Sequence, residues 1–394
     1  MSNESLDWFA HAKLDRLTAL GLRRSVIDTE RKDGVHIRRG ERDMVSFSCN
    51  DYLGLTHHPA VQAAAMDAVA AHGAGAGASR LITGNHDLYG ILEARLAALK
   101  GTEAACVFGS GYMANSGILP ALAGPGDLIV IDALGHASMN MGARAARAEI
   151  KTFRHNDAED LSALLTENRK TYGNCLVVTE GVFSMDGDRA PIDRLAAVAA
   201  DNDAWLMVDD AHGFGVLGGG RGTAWEFDPH PDVPLQMGTL SKAVGVYGAF
   251  LCASAPVIEL MKNRARSLVY TTALPPAVIA SCIAAVDIIE TDSERVVRPL
   301  QNAQAFCDAV GLPNPESPIV PLVIGAEQAA LDASAALEDE GFLVTPIRPP
   351  TVPAGTSRLR FTFSAEHTPA QVVALADSVN GLSLPDNDMP VTGA

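Results

Sequence analysis

The chain has 394 residues, enough for one large and one small domain with a substantial core. Hydrophobic residues make up 47% and charged residues 20%, an ordinary balance for a globular protein. The formal net charge of −17 argues against nucleic acid or an anionic membrane as main partner, because both need a basic surface; a small anionic ligand held by a few Arg and Lys residues stays open.

Residues 1–10 include Glu4 and Asp7 and lack the apolar run of a signal peptide. No stretch has the ~18 apolar residues of a membrane span. The expected location is the cytoplasm. Leu6, Phe9, Leu14, Leu17 and Leu20 recur at helical spacing and predict an amphipathic helix ending near Gly21. It opens a helical arm assigned to residues 1–45. Residues 46–275 read as a large domain. Apolar runs at 104–108, 128–132, 175–180, 204–210 and 248–254 predict buried strands. Helical patterns at 111–123 and 193–200 lie between them. This alternation predicts an α/β domain with a mostly parallel sheet, whose ligands gather beyond the carboxyl ends of the strands. A long helix is predicted from Pro275-Pro276 to about Glu290. Residues 319–324, 342–346 and 358–363 read as strands of a smaller C-terminal α+β domain, residues 276–394. Residues 386–394 read as a frayed tail.

Cys49, Cys106, Cys175, Cys252, Cys282 and Cys307 are scattered and form no C-x-x-C pair, which predicts buried free thiols. The spacing of the histidines suggests no metal site. His57 and His58, before Pro59, and the run Gly218–Gly220 with Arg221 and Gly222 read as loops.

Three segments carry chemistry. Met237-Gly-Thr-Leu-Ser-Lys242-Ala-Val-Gly-Val-Tyr-Gly248 sets a lysine among small and hydroxyl residues. It is either a surface lysine or a partly buried one, whose lowered pKa leaves more of the neutral amine that forms Schiff bases. Trp205-Leu-Met-Val-Asp209-Asp210-Ala-His212-Gly213 ends a strand in carboxylates, with a histidine close behind. Such a carboxylate either shapes a turn or keeps a heterocyclic nitrogen protonated, which makes the ring an electron sink. Phe108-Gly-Ser-Gly111-Tyr112-Met-Ala-Asn115 follows a strand and opens a helix. It is either a plain tight turn or a phosphate seat of backbone N–H groups.

Together these segments resemble the α-oxoamine synthases, fold-type I pyridoxal-phosphate (PLP) dependent transferases, and the resemblance covers nearly the whole chain. Ser48-Cys-Asn-Asp-Tyr-Leu-Gly-Leu55, Asp132-Ala-Leu-Gly-His136-Ala-Ser138 and Thr179-Glu-Gly-Val-Phe-Ser184-Met-Asp-Gly187 extend it. So do Tyr270-Thr-Thr272-Ala-Leu-Pro-Pro276 and Ile347-Arg348-Pro-Pro-Thr351-Val-Pro-Ala-Gly-Thr-Ser-Arg358-Leu-Arg360. That last string is most similar to the biotin-pathway branch, which condenses L-alanine with pimeloyl-CoA or pimeloyl-ACP. The other branches use glycine with a short acyl-CoA or serine with a long one. An aminotransferase and a fold-retaining binding protein are the remaining alternatives.

The resemblance implies roles. Lys242 would hold PLP as a Schiff base and move the substrate α-proton. Asp209 would pair with the pyridine nitrogen, His212 would contact the ring oxygen, and His136 would stack on the ring. Gly111, Tyr112 and Thr239 would hold the phosphate, and Ser184 would orient the cofactor. Thr272 would reach the phosphate of a second subunit, which implies a homodimer with shared sites. Arg360 would grip the amino-acid carboxylate. Arg23, Asn50, Ser79, His136, Arg348 and Thr351 would line the substrate site. The chain departs from common family wording at Leu240-Ser241-Lys242 and at Ala76-Gly-Ala-Ser79, which bears on the choice of amino acid.

Overall fold

The computed structural model describes residues 4–20 and 22–383. The first helix, Glu4–Ala19, buries none of its residues. The expected end at Gly21 and the tail at 386–394 lie outside the described residues.

Residues 30–45, expected within a helical arm, instead belong to three strands, the last running one residue further: β1 (Glu30–Asp33), β2 (His36–Arg39) and β3 (Arg42–Ser46). The reason is a period of two around the Gly34 turn. Val35, Ile37 and Met44 point inward while His36 and Asp43 stay exposed.

Seven strands build the central sheet. They are β4 (Ala104–Phe108), β5 (Leu128–Asp132), β6 (Glu149–Phe153), β7 (Cys175–Glu180), β8 (Trp205–Asp209), β9 (Leu235–Thr239) and β10 (Ala249–Ala253). Their order is β4-β10-β9-β8-β7-β5-β6. All run parallel except β10, which is antiparallel to both neighbours. Two of these strands escape a search for apolar runs. β9 is interrupted by Gln236, Gly238 and Thr239, although all five of its residues are buried. β6 lies at the sheet edge and is half polar.

Helices cover both faces. Leu251, Met237, Met207, Val178 and Ile131 pack on one face against the helices Gly111–Leu122 and Ala137–Ala146. On the other face, Val107 and Phe250 meet the helices Asp87–Lys100 and Pro276–Thr291. Val130, Val177 and Val208 there meet the helices Ala158–Asn168 and Ile192–Asp201. Strands buried on both faces read as continuous apolar runs, which is why most were visible in the sequence.

The smaller unit holds β11 (Ile319–Gly325), β12 (Phe342–Leu343), β13 (Thr345–Ile347) and β14 (Ser357–Thr362). Its antiparallel sheet runs β11-β14-β13. β12 instead pairs in parallel with β3. Phe47 sits in the same core as Phe306, Phe342, Phe361 and Phe363. The start of the chain is thereby built into the C-terminal unit. The helix Pro276–Thr291, placed at the start of the smaller domain by the sequence, contributes Ile279, Cys282, Val286 and Ile289 to the core of the larger one. The fold is α/β, with a large mostly parallel sheet and a smaller α+β unit.

The six cysteines are unpaired, and all but Cys49 are buried. His58 caps the helix Pro59–His72 by accepting from Ala60 N at 3.3 Å. Gly218–Gly220 is a short 3-10 turn ending on a buried glycine, not an open loop.

Candidate active site

The carboxyl ends of the parallel strands converge, as strand–helix alternation requires. β8 ends at Asp209 and turns through Asp210, Ala211, His212 and Gly213. The turn is set by Asp210, which accepts from Thr223 N at 2.9 Å and from Thr223 Oγ1 at 2.6 Å. A Cβ at Gly213 would lie 2.1 Å from both Asp210 Oδ1 and Thr223 Oγ1, so only glycine fits there. β9 ends at Thr239, and Lys242 follows in a turn closed by Gly245 N donating to Lys242 O at 2.8 Å. Gly245 has φ +74°, a left-handed conformation that favours glycine.

Lys242 Nζ lies 2.7 Å from His212 Nε2. Burial lowers Lys242 to about 8, against Asp209 and Glu180, which raise it. Burial also holds His212 well below its ordinary value, with the positive charges of Lys242 and Arg360 adding to the effect. His212 Nδ1 lies 2.6 Å from the Tyr52 hydroxyl.

Asp209 Oδ2 accepts from Asn115 Nδ2 at 2.8 Å, and its Oδ1 from Ala211 N at 3.1 Å. Asn115 Nδ2 also donates to Ser138 Oγ at 2.9 Å, and Ser138 lies 2.7 Å from His136 Nδ1. His136 is the N-cap of the helix Ala137–Ala146 and is exposed at the surface of the cluster. Glu180 is buried beside Asp209 across the β7–β8 pair. Burial and then Asp209 raise its carboxyl well above the usual range.

Arg360, on β14, is buried and donates through Nε to Ser184 O. Both of its terminal nitrogens lie 3.4 Å from Asn50 Oδ1. Lys242, His212, Asp209, His136, Asn50, Ser184 and Arg360 therefore form one cluster. Thr239 Oγ1 donates to Gly248 O at 2.9 Å and lies 2.7 Å from Ser241 Oγ. Gly111 and Tyr112 open the helix after β4, where Ser110 Oγ accepts from Met113 N. Among the described residues the amides of Gly111 and Tyr112 have no acceptor, so they are free to receive an anion.

Arg23, Arg348 and Thr351 form a second group. They line one groove with Leu14, Leu17, Leu22 and Arg24. Ser79 faces Thr272 through an isolated bridge, and Thr272 is exposed.

Sequence reasoning named neither Tyr52, Asn115 nor Glu180 as functional. Each stood in a matching segment, but only the three-dimensional contacts single it out. A further group was also missed. His155 lies between Asp132 Oδ1 at 2.9 Å and Asp188 Oδ2 at 2.8 Å, edge-on to Phe183. Burial would lower its pKa, but the two carboxylates outweigh that and raise it to about 10.

The donor set suits a phosphorylated heteroaromatic aldehyde. It offers an amine of lowered pKa, a buried carboxylate for a ring nitrogen, and a helix N-terminus with free amides. Among the described residues no group of three or more His, Cys, Asp or Glu side chains is placed to hold a metal ion, and no helix is long and apolar enough to cross a membrane.

Comparison with known proteins agrees with this chemistry. Residues 42–379 match the aminotransferase class I and II family. An 8-amino-7-oxononanoate synthase of Beijerinckia indica subsp. indica is 56% identical over 95% of this chain and 97% of its own. One of Methylobacterium radiotolerans is 58% identical over 96% of this chain and 99% of its own. A serine palmitoyltransferase from S. paucimobilis, solved with bound PLP and myriocin, superposes with a TM-score of 0.88 at 33% identity. It covers 96% of this chain and 98% of its own. An 8-amino-7-oxononanoate synthase from Francisella tularensis superposes at 0.72 with 27% identity, over 86% and 97% of the two chains. The cofactor is pyridoxal phosphate. The chain belongs to the aminotransferase class I and II family, and within it groups with the enzymes named 8-amino-7-oxononanoate synthase.

Proposed function

We propose that the protein condenses L-alanine with a pimeloyl thioester, on coenzyme A or acyl carrier protein, and releases the thiol and carbon dioxide to leave 8-amino-7-oxononanoate. The product places the enzyme in biotin biosynthesis. The observation that carries the reading is the approach of Lys242 Nζ to His212 Nε2 at 2.7 Å, beside buried Asp209 and Arg360.

When bound, PLP supplies an electron sink for negative charge at the amino-acid α-carbon. The chain's own residues do the rest. Lys242 tethers the cofactor and afterwards takes and returns the α-proton at Nζ. Its lowered pKa, about 8, suits a group that must both give and accept a proton near neutrality. Asp209 holds a proton on the ring nitrogen and is itself fixed by Asn115 and Ala211 N. His212 addresses the ring oxygen, and His136 covers the ring face. The amides of Gly111 and Tyr112 with the hydroxyl of Thr239 seat the phosphate, and Ser184 helps orient the ring. Arg360 takes the substrate carboxylate through its two terminal nitrogens, which meet Asn50 Oδ1 at a long 3.4 Å. Asn50 and Ser79 border the amino acid. Arg23, Arg348 and Thr351 receive the acyl thioester in the groove that they line.

We also propose that two copies share their sites, with Thr272 reaching the partner's phosphate. The exposure of Thr272, together with exposed apolar Leu81, Ile82 and Tyr270 nearby in the chain, supports this.

Structural likeness to serine palmitoyltransferase favours a second reading, serine with a long acyl thioester. Relatives at 56% and 58% identity weigh more than a neighbour at 33%. A panel of amino acids and acyl thioesters, followed by thiol and carbon dioxide release, tests the choice. Turnover is expected with L-alanine and a pimeloyl thioester. Turnover only with serine or glycine would overturn it.

A further inference from the structure

The hydrogen bonds leading away from Lys242 form one line. Nζ meets His212 Nε2 at 2.7 Å, and His212 Nδ1 meets the Tyr52 hydroxyl at 2.6 Å. That hydroxyl lies 3.2 Å from Asn50 Oδ1. Tyr52 is fully buried and His212 nearly so, which leaves bulk water little part in the line.

A phenol has a single proton and here has two acceptors. The contact with His212 is the shorter. Asn50 Oδ1 is also approached by both terminal nitrogens of Arg360. Arg360 serves Asn50 Oδ1 and also faces the Tyr52 oxygen as a hydrogen-bond donor, so the one phenol proton is left for His212 Nδ1. A neutral imidazole that accepts at Nδ1 carries its own proton at Nε2. Nε2–H then needs an acceptor, and Lys242 can accept only as the neutral amine.

We propose that Tyr52 is a positioning residue: by donating to His212 Nδ1 it fixes the Nε2–H form of the ring and so favours neutral Lys242. The proposal rests on the reading of Lys242 as the cofactor tether. The surrounding charges agree with it. Burial pushes Tyr52 up to about 12, so its hydroxyl remains a donor through the neutral range. Burial, Lys242, Arg360 and His136 all keep His212 neutral. The other charged or titratable groups facing the line are Asp209, Glu180 and Arg360 beside Lys242, and Arg360 and Cys49 beside Tyr52. Asp209 and Glu180 oppose the neutral amine, so the tautomer of His212 works against them.

The experiment has two arms on the full chain freed of cofactor. In the first, nitrogen-15 NMR reads the protonation of the His212 ring. Protonated Nε2 with bare Nδ1 is expected, and protonated Nδ1 overturns the proposal. In the second, Tyr52→Phe keeps the ring and its packing but removes the proton. The rate at which the chain captures added pyridoxal phosphate is followed by visible absorbance across pH. The unchanged protein should show a midpoint near pH 8, the value of Lys242. In Tyr52→Phe the midpoint should rise by about one unit, slowing capture at lower pH roughly tenfold. An unmoved midpoint overturns the proposal while leaving Lys242 as tether. If borohydride fixes the cofactor elsewhere than Lys242 in the unchanged protein, the underlying reading fails instead. Should the variant fail to fold, the NMR arm decides alone.

Discussion

Asn115 and Asp209 are joined by a hydrogen bond of 2.8 Å, which ties the helix Gly111–Leu122 to the end of β8. Asn115 is fully buried, so in the intact protein its amide does not share Asp209 with bulk water. Asn115→Ala leaves the Asp209 carboxylate one donor short, at a cost of about 1.5–3 kcal/mol for a bond to a charged group. Cofactor affinity should fall at least about tenfold in an equilibrium titration followed by absorbance. Unchanged affinity would show that Asp209 does not depend on this bond.

Lys242→Ala should abolish turnover while the chain still binds pyridoxal phosphate, because the phosphate seat and Asp209 are untouched. Borohydride reduction followed by mass spectrometry separates the two effects. The unchanged protein should gain one covalent cofactor on the peptide holding Lys242, and the variant none.

Arg360 combines burial with a planar donor fork, which an ammonium cannot reproduce. Arg360→Lys should raise KM for the amino acid by roughly tenfold to a hundredfold, as expected for losing a charged bidentate contact. The KM for the acyl thioester should stay nearly constant. Steady-state kinetics with each substrate varied in turn reads the difference. Equal effects on both constants would mean that Arg360 supports the fold rather than the carboxylate.

His155 should make a pH-dependent contribution to stability. Its folded pKa is raised to about 10 from 6.5, since the hydrogen bonds it donates to Asp132 and Asp188 outweigh burial. Its contribution is therefore complete below the unfolded value and is lost as pH rises through the folded one. His155→Gln should cost about 3 kcal/mol near pH 6, because buried Asp132 loses its cationic partner and keeps only the amides of Leu134 and Asn156. The gap from the unchanged protein should narrow above pH 10. Denaturant unfolding at both pH values checks this, and a gap that widened with pH would contradict the charge assignment.

Much of the larger unit was legible because its strands are buried on both faces. The strand runs ending at Phe108, Asp132, Glu180 and Asp209 gave both the architecture and the rim on which ligands gather. β9 was lost because Gln236 and Gly238 interrupt it. Its burial comes from the neighbouring strands, and Gln236 finds a partner in Lys100 O at 3.4 Å. The residues that support the site were harder to see for a similar reason. Tyr52 and His212 are 160 residues apart, and Asn115 and Asp209 are 94 apart. Motif spacing reports neighbours along the chain, so such pairs appear only once the chain is folded. His155 was passed over because a lone histidine in a polar stretch has no local signature. Its two carboxylates lie 23 and 33 residues away.

The parallel pairing of β3 with β12 bears on how the protein is made. On the ribosome, residues 42–46 emerge early, but Phe342 and Leu343 follow only after most of the chain has been synthesised. Until then that edge of β3 lacks its strand partner, and the segment leading to Asn50 and Tyr52 has only one neighbouring strand to hold it. Arg360 emerges later still. The central sheet can assemble during translation, whereas the substrate end of the site must wait for a long-range closure, which is intrinsically slow. Nascent chains halted before residue 340 should thus be able to form the cofactor-facing strand ends while lacking a finished seat for the amino acid.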